Sequence, residues 1–267
     1  MRIAAAQLVS GPDPARNLEL VEGAARRAAQ DGARLVLLPE ATMCAFGGPL
    51  GPVAEPLDGP WASTVREIAR AHDITVVAGM FTPGDDGRVR NTLLATDGGR
   101  AGGVESAYDK IHLYDAHGFL ESRTVEPGRE PVTIAVDGVV MGLTTCYDVR
   151  FPGLYQALAD RAATVMLLAA SWGAGPGKRE QWDLLTRARA LDSTSFLLAA
   201  AQGDPVTVGR TGTGRAPTGI GGSVAVSPVG AVVQQLDREP GLLVVDVDPA
   251  DVARVREQLP VLANRRF

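Results

Sequence analysis

Apolar and polar positions fall into two alternating patterns along the chain. Short β-branched runs read as buried strands, and longer stretches with helical spacing read as helices. Residues 3–8 form the first strand run, and Gly11-Pro12-Asp13-Pro14 a turn. Asn17 is placed to cap a helix reaching about Gln30, with Leu18, Val21, Ala25 and Ala28 on its apolar face. Residues 34–40 are a buried strand that delivers a carboxylate, Glu40, at its end. A Gly/Pro-rich loop over 47–60, a helix over 61–72 and a strand over 74–79 follow. Residues 91–96 and 103–111 read as paired strands joined through Asp97-Gly98-Gly99. Residues 132–136 and 139–145 make a hairpin across Asp137-Gly138, a favoured two-residue hairpin turn. The run 139–145 climbs to Cys146 and is stopped by Pro152. Helices are expected over 152–161, 180–193 and 249–258, and strands over 164–169, 196–201, 223–233 and 242–247. Strand–helix alternation with some adjacent strand pairs points to an α/β layered sandwich of two sheets covered by helices. No composition shift marks a linker, so residues 1–267 read as one domain. The Gly/Thr-rich stretch 209–222 reads as a surface or lid loop. It is not a P-loop, because Gly219-Ile220-Gly221 lacks the lysine such a loop needs.

Charge narrows the partners. With 26 basic and 31 acidic residues the formal charge is −5, which argues against nucleic acid or an anionic membrane surface. Hydrophobic residues make up 45%, enough for a large core. No apolar run approaches the roughly 18 residues of a membrane span, and the opening run is too short for a signal segment. Cys44 and Cys146 are therefore expected as reduced thiols in the cytoplasm. His72, His112 and His117 share no metal-ligand spacing, so neither a metal nor a cofactor is expected.

Three chemically matched residues stand at or beside strand ends: Glu40, Lys110 and Cys146. An ammonium close to a thiol favours the thiolate, and a carboxylate in a desolvated pocket can take and return a proton. A thiolate attacking an acyl carbon gives a covalent intermediate, with the lysine stabilising the oxyanion. Each residue also has a plainer reading, a solvated strand end for Glu40 and Lys110 and a buried structural thiol for Cys146. Spacing alone does not bring them together.

The wording around them resembles the nitrilase superfamily of carbon–nitrogen hydrolases. The matching segments are Leu37-Leu38-Pro39-Glu40, Tyr108-Asp109-Lys110-Ile111-His112-Leu113 and Thr145-Cys146-Tyr147-Asp148-Val149-Arg150-Phe151-Pro152. Arg187-Ala188-Arg189-Ala190 and Ala199-Ala200-Ala201-Gln202 resemble the family's later helix and strand. The resemblance implies a four-layer α-β-β-α sandwich. It implies Glu40 as general base and acid, Lys110 as stabiliser of the oxyanion and Cys146 as nucleophile. Glu121, in Gly118-Phe119-Leu120-Glu121, matches the family's second glutamate, which orients the lysine. The backbone N–H of Tyr147 would complete the oxyanion site. Ser171 and Trp172 fall where the family's pocket is lined, as substrate contacts or as packing. Arg150 is open between pairing with Asp148 and binding a substrate carboxylate.

The Cys-Tyr-Asp run resembles the amidase branches, close to ω-amidase and deaminated-glutathione amidase. The resemblance implies a homodimer or higher homo-oligomer, with the tail over 260–267 reaching the partner. A small linear amide is the expected substrate, cleaved to carboxylate and ammonia through a thioester. A nitrilase or N-carbamoyl hydrolase on the same residues, or a silent binding protein, are the alternatives. Leu191-Asp192-Ser193 and Gly222-Ser223 depart from the family pattern, which bears on substrate identity.

Overall fold

The computed structural model describes residues 1–100, 103–211 and 216–266. Residues 212–215 of the expected lid loop, and Phe267 of the tail, lie outside the described residues. The first half of the chain runs β1 (Arg2–Gln7), α1 (Pro14–Gln30), β2 (Leu35–Leu37), α2 (Pro60–Ala71), β3 (Thr75–Pro83), β4 (Val89–Thr96), β5 (Glu105–Asp109), β6 (Asp115–Ala116) and β7 (Phe119–Leu120). The second runs β8 (Thr133–Val136), β9 (Val139–Thr145), α3 (Pro152–Asp160), β10 (Val165–Ala170), α4 (Lys178–Ser193), β11 (Phe196–Ala201), β12 (Val224–Val226), β13 (Val232–Gln235), β14 (Gly241–Asp246) and α5 (Pro249–Gln258).

Two six-stranded sheets result, ordered β14-β1-β2-β3-β4-β5 and β13-β12-β11-β10-β9-β8. In each, three central strands are parallel and the flanking pairs antiparallel. Both faces of the central strands are buried, so their sequences are apolar throughout rather than alternating. Ile3 and Ala5 of β1 pack between the sheets with Leu37, Leu143 and Leu167. Ala4 and Ala6 face the other way, against Val21 and Ala25 of α1 and Val65 of α2. On the second sheet Met166 and Leu168 pack against Tyr155 and Leu158 of α3 and Trp182 of α4. The layers are therefore helix, sheet, sheet, helix, as the resemblance implied. The sheets are stitched at one end, where Leu8 bridges Gln202 and the Gly203 N–H donates to the Leu8 carbonyl at 2.6 Å.

Several elements differ from their sequence reading. Asp13, not Asn17, caps α1, because Pro14 occupies the first helical position and the Asp13 carboxylate accepts from the Ala15 N–H. Asn17 is buried and ties loops together, bonding Gly11 and the Met43 carbonyl. Residues 223–233 are not one strand. They fold as the antiparallel pair β12 and β13 around a turn at Gly230, whose φ is +75°. β3 continues past residue 79 to Pro83 and pairs along its length with β4. The two-residue strands β6 and β7 were not foreseen. The Asp137-Gly138 hairpin forms as expected, with positive φ at both turn residues.

Candidate active site

The three strand-end residues converge where the carboxyl ends of the parallel strands meet. Glu40 sits three residues beyond β2, Lys110 one beyond β5, and Cys146 directly after β9. Both corners carry backbone strain. Ala41 has φ +58° and Cys146 φ +45°, left-handed values that cost a non-glycine residue on the order of 1–3 kcal/mol. Close packing holds Glu40 in place. The Met43 N–H donates to the Gly79 carbonyl at 2.9 Å, and Gly79 has no side chain to keep the corner off β3. A Cβ there would stand 2.8 Å from the Pro39 oxygen and 2.9 Å from the Ala41 nitrogen. Gly79→Ala should therefore leave a folded protein whose kcat is down roughly 100-fold, the scale expected of an ångström-sized misplacement. Circular dichroism beside steady-state kinetics tests this; undiminished kcat would refute it.

Lys110 is buried between two carboxylates. Its Nζ donates to Glu40 Oε1 at 2.9 Å and to both Glu121 oxygens at 3.0 and 3.1 Å. Glu40 accepts further bonds from Asn91 Nδ2 at 2.7 Å and from the Ser171 N–H at 2.9 Å. Gln202 Nε2 holds the Glu40 carbonyl at 3.0 Å. Glu121 also accepts from the Tyr114 N–H at 2.6 Å, and the β6–β7 pair that precedes it fixes its approach.

The nucleophile corner is pinned from below. Asp148, fully buried, accepts from the Thr145 N–H at 2.8 Å, the Tyr108 hydroxyl at 2.6 Å and the His112 N–H at 3.1 Å, and meets His112 Nδ1 at 2.7 Å. It thus ties the Cys146 turn to the segment carrying Lys110. Arg189 of α4 bonds the Val149 carbonyl at 2.9 Å, so the Arg-Ala-Arg-Ala segment supports the same turn. Arg150 does not pair with Asp148, whose lone pairs are taken. It bonds Gln181 at 2.6 Å and lies over the Tyr147 and Trp172 rings.

Cys146 Sγ donates to the Ser171 carbonyl at 3.8 Å. Burial pushes its thiol well above the ordinary value of 9.0, and the Glu40 carboxylate adds to the rise, while Lys110 offsets part of it. The expected thiolate is thus overruled, because Lys110 is already matched by two carboxylates. Burial opposes the Lys110 charge, yet Glu121 and Glu40 outweigh it and lift the ammonium well above 10.5. In both cases the folded state keeps a proton that the unfolded chain gives up. Stability should therefore be full below about pH 9 and fall as pH rises beyond it. Melting temperatures between pH 8 and 11 test the sign, and Cys146→Ala should blunt the onset.

A cavity of about 680 Å³ opens over Glu40, Lys110, Glu121 and Cys146. Tyr147, Ser171 and Trp172 line it. Ser171 contributes its backbone, since its hydroxyl is taken by the Pro217 carbonyl at 2.5 Å. Trp172 is anchored through Nε1 to the Lys178 carbonyl at 2.9 Å and packs on Trp182. Tyr147 is the second residue of the 3-10 turn Cys146–Arg150, where the turn's ladder offers its N–H no acceptor. Sequence reasoning missed Asn91, Tyr114 and Lys178. Asn91 alone left a trace, an amide heading an otherwise apolar strand run. Among the described residues no cluster of His, Cys, Asp and Glu is arranged to hold a metal, and no helix is long and apolar enough to cross a membrane.

Residues 2–257 match the sequence pattern of the carbon–nitrogen hydrolases. The chain belongs to this family. A hydrolase of Mycobacterium tuberculosis is 58% identical, over 99% of this chain and 95% of its own. A deaminated glutathione amidase of Escherichia coli is 34% identical, over 100% of this chain and 98% of its own. A nitrilase-superfamily amidase of Nesterenkonia sp. AN1 superposes with a TM-score of 0.81 at 31% identity, over 100% of this chain and 94% of that one. A glutamate-to-glutamine variant of that amidase shows covalent addition of the acetamide moiety of fluoroacetamide at its active-site cysteine. The nitrilase-like sandwich and the enzyme class, a carbon–nitrogen hydrolase of the amidase kind, agree with the expectation drawn from the motifs.

Proposed function

We propose that the carbon–nitrogen hydrolase cleaves small linear amides to a carboxylate and ammonia, with Cys146 as nucleophile, Glu40 as proton carrier and Lys110 as electrostatic stabiliser. The observation that carries this reading is the Glu40 carboxylate, buried and fixed by Lys110, Asn91 and the Ser171 N–H, in one cavity with the Cys146 thiol. Because the thiol is protonated at rest, attack and deprotonation go together. Glu40 takes the thiol proton as sulfur bonds to the amide carbon. The Lys110 ammonium and the Tyr147 N–H receive the developing oxyanion. As the C–N bond breaks, Glu40 returns the proton to the leaving ammonia, and a thioester remains on Cys146. Glu40 then accepts a proton from water, which attacks the thioester, and the carboxylate leaves as the thiol is restored. Glu121 keeps Lys110 charged and aimed, acting through the lysine rather than on the substrate.

Product analysis with aliphatic amides, the matching nitriles and N-carbamoyl amines tests the reading. Ammonia and carboxylate from the amides are expected. Turnover of nitriles without turnover of amides would overturn it.

A further inference from the structure

Counting lone pairs separates the two oxygens of Glu40. A carboxylate oxygen offers two in-plane lone pairs. At Oε1 both are filled, by Lys110 Nζ at 2.9 Å and by Asn91 Nδ2 at 2.7 Å. At Oε2 the Ser171 N–H fills one, at 2.9 Å. The Cys146 thiol faces this carboxylate and donates to the carbonyl of the same Ser171 at 3.8 Å. Sγ and Oε2 therefore meet on the backbone of one residue.

Asn91 stands behind this arrangement. It is buried in β4 opposite Phe81 of β3 and does not line the cavity. Its carbonyl accepts the Lys110 N–H at 2.9 Å, so one residue touches both the base and the segment that carries the ammonium. Its amide must turn Nδ2 toward Glu40, because a carboxylate accepts and does not donate. The other end, Oδ1, is buried with no hydrogen-bond partner among the described residues. Such an orphan destabilises the fold, and a valine would suit a buried strand without it. The amide therefore serves the site rather than the fold: it supplies the second bond at Oε1.

We infer that Asn91 is a positioning residue that assigns the proton-carrying task to Oε2 of Glu40. It acts through Glu40 and touches no substrate. With Oε1 closed by Asn91 and Lys110, the proton that leaves Sγ as sulfur bonds to the acyl carbon is taken at Oε2. The neutral carboxyl does not turn over, because turning would aim its O–H at the Lys110 ammonium and the Asn91 N–H, which are donors themselves. The proton stays on the cavity side and passes from Oε2 to the amide nitrogen as the C–N bond breaks. The inference rests on the amidase reading and adds the oxygen that carries the proton and the residue that selects it.

Amide and ester kinetics on Asn91→Val, with Asn91→Ala beside it, test this. Butyramide needs the proton returned to its nitrogen. The p-nitrophenyl ester of butyric acid gives the same thioester, but its phenolate leaves without a proton. Only the amide depends on where Glu40 holds the proton. The quantity compared is kcat/KM, which reports the steps up to the thioester, with ester hydrolysis by Cys146→Ala subtracted. Both variants should stay folded by circular dichroism. For the amide, kcat/KM should fall roughly 10- to 100-fold further than for the ester, part of what a placed proton carrier supplies. Equal falls for amide and ester would assign Asn91 to the fold alone and overturn the inference, as would no fall at all. Two misfolded variants would show that the fold needs the amide, which also overturns it. Ammonia release from butyramide by the unmodified enzyme is scored separately. Its absence sinks the amidase reading itself, whereas its presence with an unmoved amide-to-ester ratio sinks only the role given to Asn91.

Discussion

Cys146→Ala should eliminate amide turnover, lowering kcat by roughly 10⁴- to 10⁶-fold, the scale on which a covalent nucleophile acts. The substitution removes the thiol proposed to form the acyl bond, while the pocket around it persists. Cys146 Sγ donates to the Ser171 carbonyl and faces the Glu40 carboxylate, which its loss leaves bonded to Lys110, Asn91 and the Ser171 N–H. Its loss does not disturb the Glu40–Lys110–Glu121 set, whose bonds are to one another, to Asn91 and to backbone N–H groups. The variant should therefore fold, melt normally below about pH 9 and still bind amides. Intact-protein mass spectrometry during turnover supplies the direct readout: a transient acyl mass on the unmodified enzyme, and none on the variant. Ammonia release that survived in Cys146→Ala would mean that the attack comes from elsewhere.

Lys110→Met should cost both activity and fold. In the native protein one ammonium serves two buried carboxylates, Glu40 and Glu121. Removing it leaves both carboxylates buried without their cation, and breaking a buried pair in this way costs about 3–5 kcal/mol. Denaturant unfolding should show a loss of that order, with kcat falling to background. Glu121→Gln is the informative companion. It leaves Lys110 paired with Glu40, so a smaller loss of stability is expected. Equal stability losses in the two variants would show that the carboxylates do not depend on the lysine as their geometry implies.

Much of this site was legible before its geometry was known, and the reason is physical. Glu40 and Cys146 close apolar runs that read as buried strands, which put them at strand ends, while the resemblance to known motifs put them in one site. Lys110 was harder, since β5 is half-exposed and its run less apolar. Glu121 could not be found by periodicity at all, because β6 and β7 are two residues each, and only the resemblance to known motifs reached it. Asn91 and Lys178 escaped because their roles arise across strands and between loops, where no spacing along the chain records the neighbour. The error at Asn17 has the opposite origin. Asp13 reads only as part of a turn, yet it caps the helix because proline takes the first helical position. The continuous run read over residues 223–233 concealed a turn that Gly230 makes possible.

The pairing of β1 with β14 has a consequence for the order in which the enzyme comes into being. Arg2 lies opposite Asp246, and Gln7 opposite Gly241, so β1 waits through more than 230 residues of chain for its neighbour β14. Until then β1 has an open edge, and contacts of such long sequence separation close slowly. The crevice is walled by both sheets, so a chain in synthesis carries Cys146 without the finished enclosure around it until β14 has been made.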